Sequence, residues 1–287
     1  MLLICGGAAD PNIQRFLAIA SAQVACCPVL IGSELNPELH WDIDTGSLQV
    51  DGRRIDPRAA FLRADVFASF DDPRPEVGFR SYGWHTTLEG FVHAAQKVRI
   101  FNRRHDAAFS KPVQLVTAKQ LGLRIPHTVI TNSEVALRDA VAGAITKPVN
   151  GGDYCRSLRE VVARTEFRHS RAATPAIVQS RMKGPDLRVY RVGSDFLSFT
   201  LHSHALDYRT RNDVVVRESE NPDDSTLRRL ERLTDLAGLD FAAADFKRAP
   251  DLAEWVFLEI NSGPMFAAFD VAANGRLVSR MIRHLTG

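Results

Sequence analysis

Two apolar stretches near the C-terminal end, FAAADFKR (241–248) and EWVFLEIN (254–261), each carry a carboxylate where a buried strand should have none. Residues two apart on a strand face the same side, so Glu259 and Asn261 point together while Leu258 and Ile260 face the core. Asp245 interrupts the apolar run AAADF, and a carboxylate in a buried strand is costly without a partner. A polar turn joins the stretches, and a hairpin would bring Asp245, Glu259 and Asn261 together. Hard oxygen ligands of this kind suit magnesium, which keeps waters and bridges to substrate phosphates. An isolated Glu-x-Asn usually just faces water. Here Asp245 and the sharp Ser262-Gly263-Pro264 turn favour a metal site.

Cations with matching placement lie upstream. Lys147 ends the strand AITKPV, just before Pro148 and the turn NGGDY. A lysine there reaches over phosphates, and the backbone amides of Gly151 and Gly152 add donors. Lys111 heads a helix after FNRRHDAAFS. Taken singly, each lysine reads as an ordinary surface residue. Asp186 and Arg188 share a strand face in GPDLRVY, as do Arg209 and Arg211 in LDYRTRN. Basic groups on otherwise apolar strands need an anion, which phosphates, an acyl phosphate or the protein's own carboxylates would supply.

Other functions are excluded by what the 287 residues lack. With 36 basic and 34 acidic residues there is no electrostatic footprint for nucleic acid. No apolar run approaches the roughly 20 residues that span a bilayer. MLLICGG lacks a basic n-region and is too short for a signal peptide, so a cytoplasmic protein is expected. Cys5, Cys26, Cys27 and Cys155 show no metal or redox spacing and read as reduced, with Cys5 buried in a strand. His202 and His204 share a strand face without a third zinc ligand. There is no GxxxxGK[ST] and no GxSxG.

The coarse pattern is mixed α/β (α+β), in three parts. Residues 1–100 open with the strand LLICGG and a helix started by Asp10 and Pro11, with Ile13, Phe16, Leu17 and Ala20 at helical spacing. CCPVLIG follows as a strand and SLQVDGRRI as a hairpin turning at Asp51-Gly52. Residues 71–80 read as an exposed loop before a helix over Gly83–Ala95. In 101–178, KPVQLVTAKQL is a helix capped by Gly122, RIPHTVIT an edge strand, EVALRDAVA a helix and AITKPV a strand. In 179–287 come the strands DLRVYRVG and FLSFTLHSHA, a helix over 223–237 with Leu227, Leu230, Leu233 and Leu236 on one face, the metal hairpin, and a helix over LVSRMIRHL.

Lys111, GLRIPHTVI, TKPVNGG, IVQSRMKGPDLRVYRVG, DYRTR, DFKR and FLEINSGP, in that order, resemble the ATP-grasp superfamily. The branch resembled holds the glutamate ligase that modifies a ribosomal protein and the maturases that crosslink ribosomal peptides (graspetides). The resemblance covers roughly residues 100–287. It implies an ATP-grasp fold of two α+β lobes clamping ATP (101–178 and 179–287) behind a small α/β domain. It also implies that Lys111 and Lys147 contact ATP phosphates, with Gly151 and Gly152 in the covering loop. Gln179, Ser180, Arg181 and Met182 would be the hinge that binds adenine through backbone groups. Asp186 matches a nucleotide-contacting aspartate, Arg188 a phosphate-binding catalytic arginine, and Arg209 with Arg211 a second basic site by the γ-phosphate. Asp245, Glu259 and Asn261 match ligands of two Mg²⁺ ions, with Mn²⁺ the alternative. Two departures stand out: Ser180 replaces a usual glutamate, and NSGPMFAAFD replaces a proline and Gly-Gln-Trp-like run.

The function implied is an ADP-forming carboxylate–amine ligase working through an acyl phosphate. A small-molecule carboxylate and amine rank slightly above a substrate peptide, because the N-terminal unit is short and NSGPMF apolar. The competing readings are a graspetide-type peptide ligase, a non-catalytic ATP-binding module and a small-molecule kinase. Relatives are often dimers, which makes a homodimer the expected self-association.

Overall fold

All six residues of strand β1 (Leu2–Gly7) are buried, and it pairs in parallel with β2 (Cys26–Ile31) on one side and β6 (Ala59–Leu62) on the other. The computed structural model describes residues 1–32, 36–68, 72–150, 154–182, 184–202, 214–248 and 254–287. Helix α1 (Pro11–Ser21) makes the crossover from β1 to β2. Asp10 is its N-cap, accepting from the Asn12 amide at 2.8 Å, and Pro11 occupies a position where its missing N–H costs nothing. Ile13, Phe16 and Ala20 are its buried apolar residues, and Leu17 is only partly buried.

The parallel sheet has the order β2-β1-β6-β7, with β7 spanning Arg99–Ile100. Strands β3 (Leu39–Asp42), β4 (Ser47–Val50) and β5 (Arg53–Ile55) form a separate meander. Its second turn is the expected one, with Asp51 at φ 48° and Gly52 at φ 70°. Helix α2 (Pro75–Ala94) starts at Pro75 rather than near Gly83, so part of the expected loop is its first turns. The proline-rich composition that suggests a loop is equally compatible with proline at a helix start.

The chain divides into two units, Met1–Arg103 with Gly263–Gly287, and Arg104–Ser262. The first is completed by α7 (Ala267–Ala272) and α8 (Arg276–Thr286), the latter burying Leu277, Val278, Met281, Ile282 and Leu285.

The second unit begins with α3 (Lys111–Gln120), followed by Gly122 at φ 84°. Four antiparallel strands come next: β8 (Thr128–Ser133), β9 (Ala144–Pro148), β10 (Arg156–Ser157) and β11 (Arg171–Ser180), in the order β10-β9-β11-β8. β8 lies at the edge, as Pro126 before it suggests. Helices α4 (Glu134–Asp139) and α5 (Leu158–Arg164) cover this sheet through Leu137, Leu158, Val162 and Val178.

A five-stranded antiparallel sheet follows, built from β12 (Asp186–Val192), β13 (Asp195–His202), β14 (Val215–Ser219), β15 (Phe241–Arg248) and β16 (Trp255–Asn261). Its order is β14-β13-β12-β15-β16. Helix α6 (Asp224–Leu236) packs on it beside α3, with Leu115, Leu230, Leu233, Ala244 and Phe257 in one core. Leu236 is 56% exposed, against the expectation of a four-leucine face. Leu236 lies nine positions beyond Leu227, about two and a half turns, which puts the two on opposite sides. A second correction concerns β16. Asp245 opposes Glu259 but Phe246 opposes Phe257, so Leu258 is a bulge residue. The phase shift leaves Phe257 and Ile260 buried and Leu258 only partly so.

Candidate functional site

Pairing register puts the charged groups of the large sheet on one face. Asp245 of β15 lies directly opposite Glu259 of β16 and opposite Arg188 of β12. Asn261 is opposite Ala243, and Asp186 is opposite Lys247. Because the bulge falls between Asp245 and Phe246, it leaves the three expected oxygen-bearing residues in phase.

The contacts within this face are short and charge-assisted. Arg188 grips Asp245 with both ends of its fork, Nε to Oδ1 at 2.7 Å and Nη2 to Oδ2 at 2.8 Å. Asn261 Nδ2 donates to Asp245 Oδ2 at 3.2 Å. Lys111 Nζ is 3.0 Å and Lys147 Nζ 3.7 Å from Glu259 Oε2. Lys147 arrives from the four-stranded sheet, where it opposes Ile177. Six of the expected site residues therefore converge: Lys111, Lys147, Arg188, Asp245, Glu259 and Asn261.

Two participants carried no expectation. Lys247 contacts Asp186 at 2.8 Å, on the same strand face as Asp245. The alternation that pairs Glu259 with Asn261 applies equally to Asp245 and Lys247 and would have found it. Burial pushes the Asp186 carboxyl above its ordinary value, opposed by Lys247 and aided by nearby Asp245. The other is Gln114 on α3. Its Oε1 accepts from the Ile260 amide at 3.0 Å, and its Nε2 donates to the Phe109 carbonyl at 3.3 Å. This ties the helix carrying Lys111 to the strand carrying Glu259, and nothing in the local sequence announces it.

Around the expected hinge, the Ser180 amide donates to the His127 carbonyl at 3.0 Å and the Arg181 amide to the Gly143 carbonyl at 2.8 Å. Gln179 is buried, with Nε2 on Thr128 Oγ1 at 3.1 Å, and its Oε1 has no hydrogen-bond partner among the described residues. Met182 follows, partly exposed. Gly151, Gly152, Arg209 and Arg211 lie outside the described residues, as does His204.

The donor set fits the ligands the sequence implies. Two carboxylates and a carboxamide are hard oxygen donors of the kind magnesium takes. Among the described residues no trio of His, Cys, Asp or Glu is grouped to hold a metal, so this mixed set is the candidate. Three cations, Lys111, Lys147 and Arg188, face two carboxylates, an excess of positive charge that suits a polyphosphate. The orphaned Gln179 acceptor offers a buried polar atom to a base-like ligand.

No protein-family model matches the chain, and no curated protein sequence does. Solved structures do match over essentially the whole chain. The ATP-grasp ligase PsnB complexed with minimal precursor, Mg and ADP is 23% identical with a TM-score of 0.73, over 99% of this chain and 97% of that one. The macrocyclase MdnC from Microcystis aeruginosa MRC, bound with precursor peptide MdnA, is 16% identical with a TM-score of 0.72, over 100% of both chains. The VanG D-Ala:D-Ser ligase from Enterococcus faecalis is 14% identical with a TM-score of 0.62, over 99% of this chain and 97% of that one. The chain thus has the ATP-grasp fold. Among its described residues no helix is long and apolar enough to cross a membrane.

Proposed function

We propose that this chain is an ATP- and magnesium-dependent ligase that activates a carboxylate as an acyl phosphate and passes it to a nucleophile. The observation that carries the reading is the convergence of Lys111, Lys147 and Arg188 on the paired carboxylates Asp245 and Glu259.

In this reading the substrate carboxylate oxygen attacks the γ-phosphorus of ATP, and the bond to the β–γ bridging oxygen breaks to release ADP. An amine then attacks the acyl carbon, the phosphate leaves, and the amine loses its proton. Magnesium held by Asp245, Glu259 and Asn261 would neutralise charge on the phosphates. The chain's own residues supply positioning and charge. Arg188 offers two parallel donors to phosphoryl oxygens, and Lys111 and Lys147 offer point charges. Arg209 and Arg211 would add a second basic site, and Gly151 and Gly152 amide donors over the phosphates. Gln179, Ser180, Arg181 and Met182 would line the adenine, and Asp186 would contact the nucleotide.

A peptide substrate is favoured over a small molecule. The neighbours with the higher TM-scores, PsnB and MdnC, are bound to a precursor and to a precursor peptide respectively. This reverses the ranking drawn from the apolar NSGPMF segment. The small-molecule reading keeps the support of the VanG likeness.

The test is ADP release from the purified chain with ATP and Mg²⁺, offered acidic peptides in one series and free amino acids and carboxylic acids in another. A Glu259→Ala chain serves as control. Release that depends on peptide and vanishes in the control supports the reading. Calorimetry that finds no ATP binding sinks it.

A further inference from the structure

Lys247 Nζ lies 2.8 Å from Oδ1 and 2.9 Å from Oδ2 of Asp186, so the ammonium straddles both carboxylate oxygens. The register between β12 and β15 runs unbroken from Asp186 opposite Lys247 to Val192 opposite Phe241. Asp186–Lys247 and Arg188–Asp245 are therefore successive pairs on one face of the sheet, about 7 Å apart at two residues along each strand. All four residues belong to the second unit.

The chain just past Met182 is stitched to the end of β15 that carries this lysine. The Arg248 amide donates to the Pro185 carbonyl at 3.2 Å. Gly184 lies so close to the Arg248 carbonyl that a side-chain carbon there would overlap it. Along β12 the order is therefore the segment 179–182, then Asp186–Lys247, then Arg188–Asp245. A ligand reaching from that segment to Asp245 passes Lys247 on the way. Neutralising Asp186 is a weak account of the lysine. The two side chains are 19% and 22% exposed, and desolvation offsets much of the attraction in such a pair. An ammonium also has three donors and no acceptor. Two meet the Asp186 oxygens, and the third can meet an anion on the same face. By pinning the ammonium, Asp186 lowers the side-chain entropy that a long lysine loses on gripping a ligand.

We propose that Lys247, anchored by Asp186, binds the nucleotide phosphate nearest the base. It is a fourth cation beside Lys111, Lys147 and Arg188, placed on the side of Asp245 nearer the hinge. The inference rests on the reading of Gln179, Ser180, Arg181 and Met182 as the adenine hinge and of Asp245, Glu259 and Asn261 as magnesium ligands.

The experiment is calorimetric titration of adenosine, AMP and ADP into the full chain at one saturating MgCl2 concentration. The proteins are wild type, Asp186→Asn and the double variant Asp186→Asn/Lys247→Met. Removing the carboxylate first means that loss of the lysine strands no buried charge. Wild type should bind AMP more tightly than adenosine. Relative to Asp186→Asn, the double variant should bind AMP and ADP about tenfold more weakly, the weak end for a hydrogen bond to a charged group, and adenosine equally. Equal binding of all three ligands by the two variants overturns the proposal and leaves Lys247 as a counter-ion for Asp186. A matching loss for adenosine also overturns it, since the lysine then acts on something other than phosphate. So does a loss confined to ADP, which moves the contact to a farther phosphate, and so does AMP that wild type binds no better than adenosine. Wild type that binds none of the three overturns the nucleotide reading itself, a result distinct from the others.

Discussion

Asp245 and Glu259 face each other across two antiparallel strands, a pairing of like charges that on its own is destabilising. Arg188 holds the first and Lys111 and Lys147 the second, so the unfavourable pair persists because cations arrive from three other elements. A scaffold selected for stability alone has no use for this arrangement, whereas a site that must receive a metal and a polyphosphate does.

Glu259→Gln tests the pair from the acidic side. The change keeps shape and removes charge, so the fold should persist, with an unchanged circular dichroism spectrum. Magnesium-dependent ADP binding should weaken by more than about 100-fold, beyond the range for groups that only orient a ligand. Retention of that binding would remove Glu259 from the ligand set.

Arg188 tests it from the basic side. Arg188→Ala leaves Asp245, on a largely buried strand face, without its two-pronged partner, and should cost about 3–5 kcal/mol in urea denaturation. Arg188→Lys restores a charge but not the fork. Its stability loss should therefore be smaller, while ATP turnover stays as impaired as in the alanine variant. A lysine variant with full turnover would argue that the fork has no part in phosphoryl transfer.

The hairpin that carries Asp245, Glu259 and Asn261 was legible because alternation sets Glu259 and Asn261 on one face and a polar turn joins two neighbouring apolar stretches. The bulge at Leu258 was not, since a phase shift in β16 is set by pairing with Phe246 rather than by its own sequence. β6 escaped notice for a similar reason: AAFL is too short and too alanine-rich to read as a strand, yet it lies at the centre of the parallel sheet. Arg63 donates to Asp10 across about fifty residues and to the carbonyls of Gly263 and Pro264 across about two hundred. No local pattern encodes such a contact. The leucine spacing of α6 misled in the opposite direction, because steps of three drift around a helix.

Cys5 supplies a check on the first sheet. It lies in β1 with its thiol buried, and burial pushes its pKa up to about 12. The thiolate is the reactive form, so iodoacetamide at mildly alkaline pH should leave Cys5 unlabelled in the native chain and label it after denaturation. Cys26, Cys27 and Cys155 are only partly buried and should react first. Native labelling at Cys5, read by peptide mass mapping, would contradict a central position for β1.

Asp186 gives a pH dependence with a definite sign. Burial, the larger influence, raises its carboxyl above the ordinary 3.8, while Lys247 opposes the rise. A group with a raised folded value binds protons more tightly when folded. Its contribution to stability is fully present below pH 3.8 and is lost as pH rises through the raised value. Asp186→Asn removes this titration, so the two proteins should diverge as pH falls from about 7 toward 4, with wild type gaining in unfolding midpoint relative to the variant. The same protonation would release Lys247 from its ion pair, leaving an ammonium on the face that carries Arg188 and Asp245. If wild type instead loses ground to the variant on acidification, the Lys247 attraction outweighs burial, and Asp186 is held ionised as a fixed counter-charge.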